Sequence, residues 1–578
     1  MDPKKLDLLR HSTAHVLAAA IYELFPDAKF GIGPAVENGF YYDLDLPRTL
    51  IPEDLANIEA KMSEIIKANH HFERQEISRA EAQELFQKAG QIYKVELLKE
   101  MPDETVSIYR TGKFVDLCRG PHLDSTGEIR AFKLLKIAGA YWKGEEKNKM
   151  LQRVYGTAFA DRKGLAQYLH QLEEAKKRDH RKLGKELDLF VFSDLVGKGL
   201  PLFTPKGALV RRLICEFVES LQSQQGIAQV WTPQFSRAEL FQTSGHYAKY
   251  RENMFRVHSN YSEEEFYLKP MNCPQHTQIY ASRQRSYKDL PIRLADFAML
   301  YRDEKPGELS GLTRTRAFSQ DDCHIFCTED QVEAEMNKAL DMTKTIMDTY
   351  GFSYKYRLST KDPKSPEKYL GDAKTWDKAE KICAKVLKER KIEYFIGEGE
   401  AAFYAPKLDL IATDSLGREW QLSTLQVDFF LPERFDLTYK DATGQDRRPV
   451  MLHRAISGSP ERLMAILLEH YAGAWPVWLS PVQVKILPVA EKFNDAAEGL
   501  AKQLRQSQIR PEVDQQNESV GKKIRQAQLE KVPYMIVFGE KELITGKLAI
   551  RERGQKELKT ATATDLIEEL KKKIAERR

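Results

Sequence analysis

Along the chain the spacing of hydrophobic positions changes repeatedly, and each change predicts an element. Residues 5 to 22 carry apolar side chains at helical intervals. Residues 163 to 188 set leucines among many charges with no turn signal before Gly184, which predicts a single connecting helix with a solvated face over its KKRDHRK run. A long helix is expected from Lys206 to Gln224, then a strand ending at Pro233. Phe297 to Phe326 reads as a strand, a polar turn containing Gly and Pro, and a second strand. FYAPKLDLIATD and REWQLSTLQVDF alternate as strands, and SGSPERLMAILLEHY is a turn followed by an amphipathic helix. Beyond residue 482 the segments QVKILPV, FNDAAEGLAKQLRQ, PYMIVFG, KLAIRER and ATDLIEELKKKIAE predict a small α/β domain of about a hundred residues.

The 297–326 hairpin carries the most chemistry. Alternation sets Arg316, Phe318, Gln320, Asp322 and His324 on one face of its second strand. Such a face needs water or a ligand, because burying unpartnered polar groups costs a few kcal/mol each. Arg302 and Arg314 add two fixed positive charges, so the hairpin suits an anionic ligand, a polyphosphate above all. Near the N-terminus, His11 and His15 lie one turn apart on a helix. Downstream, Cys118 and His122 follow a strand-like run with Asp116 beside them. HxxxH with CxxxH supplies four groups that could bind a metal or build a hydrolytic pocket.

Composition narrows the class. At 578 residues, 42% hydrophobic and 30% charged, the chain is long enough for three or four globular domains. A net charge of +4 means that any basic nucleic-acid surface must be local. Apolar runs fall short of about 18 residues and MDPKKLDLLRHSTAH has no signal-peptide core, so a cytoplasmic, non-membrane protein is expected. The six cysteines, at 118, 215, 273, 323, 327 and 383, form no CxxC pair and fit a reducing compartment.

YRDE followed by GLTRTRAFSQDDCHIF resembles motif 2 of the class II aminoacyl-tRNA synthetases, and SQDDxHIFC resembles the threonyl-tRNA synthetase family of subclass IIa. The likeness runs over essentially the whole chain. It implies an α+β multidomain architecture: an editing domain over 1–162, a linker helix over 163–188, an antiparallel-sheet catalytic domain over 189–475 and an α/β anticodon-binding domain over 476–578. By the same resemblance Arg302 holds the α-phosphate of ATP, Arg314 reaches the γ-phosphate, and Arg462 stacks on adenine. Mg2+ accompanies ATP, with Glu304 a candidate ligand. The 189–233 segment is similar to motif 1, which implies a homodimer. Tyr404, Lys407, Gln421, Thr424 and Gln426 line the amino-acid and adenylate pocket. His11, His15, Lys94, Asp116, Cys118 and His122 would surround the ester of a mischarged tRNA, with Lys94 and His11 positioning water and no metal expected. Asn517, Glu542 and Arg551 match positions that read anticodon bases, and Lys522, Lys523 and Arg525 are expected to meet phosphates. Two departures are visible. The chain starts at the editing helix, without the ubiquitin-like domain usual in bacterial relatives, and Gln275 stands where the family usually has glycine, so the local turn is expected to differ.

Cys273, His324 and His453 match the threonyl family's zinc ligands, each in its own motif. The local alternative of Cys323, His324 and Cys327 is disfavoured, since alternation puts both cysteines opposite His324. A zinc with an open position answers a physical need. Threonine and valine are nearly isosteric, and an apolar pocket separates such pairs only about a hundredfold, so the hydroxyl must be read directly. Gln320 and Asp322 are placed to complete that reading. Serine keeps the hydroxyl and loses only a methyl, worth roughly 1–3 kcal/mol, so a second, hydrolytic site is required. The expected activity is therefore ATP-dependent activation of L-threonine, transfer to tRNA(Thr), and hydrolysis of seryl-tRNA(Thr). Its rivals are a synthetase-like RNA-binding regulator and a trans-acting editing hydrolase.

Overall fold

The computed structural model describes residues 2–578, which divide into two compact units, the first ending at Glu173 and the second spanning Glu174–Arg578. The first unit is built on the helix Pro3–Leu24, whose residues 12 to 21 are all buried. An antiparallel sheet in the order Lys29–Phe30, Gly39–Asp45, Met150–Phe159, Ala131–Tyr141 accompanies it. A smaller sheet joins Phe72–Ser78, Thr105–Thr111 and Phe114–Leu117.

The second unit centres on an eight-stranded sheet. Its order is Ala228–Gln229, Ile292–Asp296, Asp322–Cys327, Val450–Ala455, Glu419–Asp428, Lys407–Thr413, Ser353–Thr360 and Tyr394–Glu398. All pairings are antiparallel except the two at the edges. Alternation sorts the two faces. Cys323, Ile325, Cys327, Leu425, Val427 and Leu452 enter a core shared with the helices Pro205–Gln224, Val332–Tyr350, Ala373–Glu389 and Pro460–His470. The opposite face aligns His324, His453, Gln426 and Lys407 as successive cross-strand partners over four strands. The register puts this polar row at the sheet's centre, under the cavities described below.

Three expectations need correction. Residues 297–326 do not form one hairpin: Met299–Tyr301 pairs with Ala317–Ser319, while Asp322–Cys327 leaves after Gln320 and Asp321 to join the large sheet. The backbone there serves two sheets because Asp321 is spent on a neighbouring loop. The connecting helix is broken: Arg162–Arg178 and His180–Glu186 are separate, with Asp179 capping the second. Lys523 meets no phosphate, being buried with its Nζ donating to the carbonyls of Asp514 (2.9 Å) and Pro488 (3.2 Å). Gln275 lies in the helix Cys273–Ala281, and its amide donates to Pro233 O at 3.0 Å and Ser236 Oγ at 2.8 Å.

Residues 484–575 form a five-stranded sheet in the order Pro511–Val513, Val484–Pro488, Tyr534–Phe538, Lys547–Glu552, Lys559–Thr562, parallel in its first three strands and antiparallel thereafter. The helices Asn494–Gln506 and Ala563–Ala575 close its apolar face.

Candidate active sites

Two cavities open on the polar face of the large sheet. One, of about 450 Å³, is lined by Arg302, Glu304, Arg314, Phe318 and Arg462 among others. The second, of about 360 Å³, is lined by Cys273, Asp322, His324, Tyr404, Lys407, Gln426 and His453. Arg302, Gln320, Gln421, Thr424 and Ala455 line both, so the two are one bipartite site. All the sequence-predicted catalytic and substrate residues of this region converge there.

The first cavity is electropositive and under-partnered. Among the described residues the Arg302 guanidinium has no hydrogen-bond or carboxylate partner, and it lies over the Phe318 ring at 5.1 Å. Arg462 is anchored on the helix capped by Ser459, and its Nε is buried without a partner beside Trp420. Burial lowers both guanidinium pKa values, a cost an anionic ligand would relieve. Arg314 is instead held by Glu304 (2.8 Å) and Glu308 (3.0 Å). The loop across the cavity is fixed by Asp321, which accepts from the backbone N–H groups of Ile456, Ser457 and Gly458 at 2.9, 2.8 and 3.0 Å. Burial nevertheless raises the Asp321 pKa to about 7.

In the second cavity, one ligand atom each from Cys273, His324 and His453 lies within 4.8 Å of the others, all buried. His453 Nε2 meets Asp428 Oδ2 at 2.8 Å, which leaves Nδ1 to face His324 Nε2 at 3.1 Å. His324 Nδ1 meets His276 Nδ1 at 2.8 Å, so the two inward nitrogens, which face each other, can both turn lone pairs to a cation placed between them. Burial and neighbouring histidines keep His324 and His276 neutral, the latter near a pKa of about 3. Burial, with Asp322 and Asp428 nearby, pushes the Cys273 thiol up. A cation would reverse that penalty, and a thiol with two imidazoles oriented from behind is a donor set suited to zinc.

Sequence reading missed the groups that hold this site. Asp409, fully buried, accepts from Gln421 Nε2 and Thr424 Oγ1, each at 2.8 Å, and pairs with Lys407 at 3.3 Å. Asp428, His276 and His246 sit behind the cysteine and histidines, with His246 Nε2 3.5 Å from Cys273 Sγ. Asp409 lies two residues from Lys407 in an alternating strand, the one signal that could have flagged it.

The N-terminal unit holds the second cluster. His11 and His15 project from the first helix, and Cys118 and His122 from the stretch after Phe114–Leu117. Their four ligand atoms lie within 4.8 Å of one another. Cys118 Sγ is 3.3 Å from both His11 Nε2 and His122 Nε2. Gly120, at φ +68°, lets the chain pass Tyr109, whose hydroxyl would lie 2.1 Å from any Cβ there. Asp116 is buried between Lys94 Nζ (2.5 Å), the Tyr42 hydroxyl (2.5 Å) and His15 Nε2 (3.6 Å). Burial lowers the pKa of all three histidines and pushes Cys118 up to about 11, so the pocket offers neutral imidazoles and a thiol.

Of the remaining predicted residues, Asn517 is exposed, Glu542 accepts from Gly539 N at 3.0 Å, and Arg551 leaves a buried Nε unpartnered on the strand Lys547–Glu552. Lys522 pairs with Glu518 at 2.5 Å. Among the described residues no helix is long and apolar enough to cross a membrane.

Three family models match: the class II core domain of tRNA synthetases (G, H, P, S and T) at residues 255–471, the anticodon-binding domain at 483–573, and the threonyl and alanyl tRNA synthetase second additional domain at 106–155. A threonine–tRNA ligase of Dehalococcoides mccartyi (strain CBDB1) is 52% identical over 549 residues, 95% of this chain and 93% of that protein. One from Gloeobacter violaceus is 50% identical over 588 residues, covering 100% of this chain and 94% of the relative. Among solved structures, the RNA-binding domain of threonyl-tRNA synthetase from Cryptosporidium parvum Iowa II superposes with a TM-score of 0.65 at 39% identity, over 68% of this chain and 98% of that one.

Proposed function

Because the chain belongs to the threonyl-tRNA synthetase family, whose chemistry is threonine activation by ATP, charging of tRNA and editing, we propose how its own residues divide that work. The observation that carries the assignment is the bipartite cavity, in which five residues are shared between an arginine-lined half and a Cys/His half. ATP occupies the first half. Arg302, half-buried and with no hydrogen-bond partner on its guanidinium, meets the α-phosphate at the junction, where the threonine carboxylate attacks and pyrophosphate leaves. Arg314 exchanges Glu304 and Glu308 for the terminal phosphate, and Arg462 covers adenine. Glu304, at the same wall, is the carboxylate placed to meet Mg2+ entering with ATP.

Threonine occupies the second half. Cys273, His324 and His453 would hold zinc, which when bound supplies an open coordination position for an amino group and a hydroxyl. Asp322 and Gln320 bound the hydroxyl side, while the Tyr404 hydroxyl, donating to Gln426 at 2.9 Å, closes the pocket over the His453 ring. Asp409 holds Lys407, Gln421 and Thr424 together at the adenylate side, where Lys407 keeps N–H groups to spare for the ligand.

In the N-terminal unit, His11, His15, Cys118 and His122 surround the ester of seryl-tRNA, and neutral His11 takes a proton from the attacking water. Lys94 holds Asp116, which orients His15. The domain limits 1–162, 163–188, 189–475 and 476–578 follow this division of labour, with Asn517, Glu542 and Arg551 facing the anticodon. A homodimer is supported by apolar groups left exposed in the segments that flank the helix Pro205–Gln224 in the sequence: Trp231 is 78% and Leu195 100% exposed. The protein works in the cytoplasm, where its tRNA substrate is. Metal analysis tests the assignment: one zinc per native chain and none in Cys273→Ala supports it, whereas equal zinc in both would refute the ligand set.

A further inference from the structure

We propose that His180 is a positioning residue for ATP binding: it latches the phosphate-binding loop at residues 310–316 to the catalytic core, from the short helix His180–Glu186. The inference rests on the reading of the arginine-lined cavity as the ATP site.

The His180 ring is buried and each nitrogen has one compatible partner. Nδ1 lies 2.6 Å from Glu469 Oε1, and the Leu312 backbone N–H donates to Nε2 at 3.1 Å. A carboxylate accepts and an amide N–H donates, so one state satisfies both: neutral imidazole with its proton on Nδ1. Glu469 is fixed in turn by the backbone N–H of His180 at 2.9 Å and by Arg418 at 2.5 Å. Glu469 ends the helix that carries Arg462. The imidazole therefore bridges the Arg462 helix and the Arg314 loop.

The loop is shaped to receive it. Ser310 and Arg314 bond to each other's backbone, and Leu312 at the tip is buried in the core. Gly311 sits at φ +48°, and a Cβ there would fall 2.1 Å from His180 Nε2. Glycine is needed both for that dihedral and for that approach. Thr313, Arg314 and Thr315, the next residues, line the cavity. Asp179, His180 and Glu469 cluster as closely as metal ligands do, yet Arg181, Leu312 N–H and Arg418 already occupy their acceptors, so the cluster is a latch rather than a metal site.

The test uses full-length His180→Asn, His180→Gln, Gly311→Ala, His180→Ala and the double variant His180→Ala/Gly311→Ala in ATP–pyrophosphate exchange with threonine. Asn keeps a donor for Glu469 but cannot reach Leu312, whereas the Gln amide oxygen reaches the Nε2 position. Expected is a rise in KM for ATP of about tenfold in His180→Asn, the loss of one hydrogen bond, with KM for threonine unchanged and recovery in His180→Gln. Gly311→Ala should harm ATP binding more when His180 is kept than when it is added to His180→Ala, because the imidazole is what the new methyl strikes. Native exchange with an unaltered ATP KM in His180→Asn, or equal rises for ATP and threonine in both the Asn and Gln variants, would overturn the latch alone. No ATP-dependent exchange by the native chain would remove the cavity reading and the latch with it.

Discussion

The two Cys/His clusters use nearly the same side chains and differ in what stands behind them. At Cys273, His324 and His453, a carboxylate and a further histidine take the outer ring nitrogens at 2.8 Å, fixing the inner ones for a common centre. In the N-terminal unit, His15 Nδ1 is buried with no partner, and the local carboxylate, Asp116, is bound by Lys94 at 2.5 Å. Donor identity alone does not make a metal site; the groups that orient the donors do. The first cluster thus has the outer partners that the proposed zinc reading needs, whereas the second has neutral imidazoles and a thiol without such partners, as the proposed ester-binding reading needs.

The largest effect that could break this contrast is in Cys273→Ala, which should lower threonine-dependent exchange by at least about 10³-fold, since a site built around a hydroxyl fails without its reading group. Arg302→Ala should cost about 10²–10³-fold in the same assay with zinc retained, because one preorganised charge is lost from the transition state. Asp428→Asn should weaken zinc retention about 10–100-fold in a chelator titration while the fold persists. Lys94→Ala sharpens the comparison from the other side: exchange should stay native while hydrolysis of seryl-tRNA falls about 10²-fold, measured by deacylation.

The smallest effect concerns pH. Asp321, buried among backbone donors, has its pKa raised from 3.8 to about 7 in the folded chain. Between those values the folded state binds the extra proton, so stability should fall as pH rises from about 4 to 7 and level off above. Asp321→Asn should flatten that slope, a change of roughly a few degrees in Tm across the window.

Much of this was legible in the chain. Alternation put Cys323 and Cys327 opposite His324, and both do enter the core. Cys273, His324, His453 and the arginines could be named because each sits in a local motif that resembles the family's. What escaped was the support. Asp428 and His276 act through partners on other elements, His453 and His324, and Asp409 gave only its spacing two residues from Lys407 as a signal. Lys523 looked like a phosphate contact because a helix-surface lysine and one turned under to cap two carbonyls share the same spacing. The break at Asp179 was hidden by strong helix formers on both sides. It becomes intelligible only once His180 is seen turned inward to Glu469.

The most direct test of the central claim is ATP–pyrophosphate exchange by the native chain with threonine, serine and valine compared side by side. The account predicts strong exchange with threonine, weaker exchange with serine and almost none with valine, because the Cys273, His324 and His453 centre reads a hydroxyl. Valine exchanging as well as threonine would contradict it.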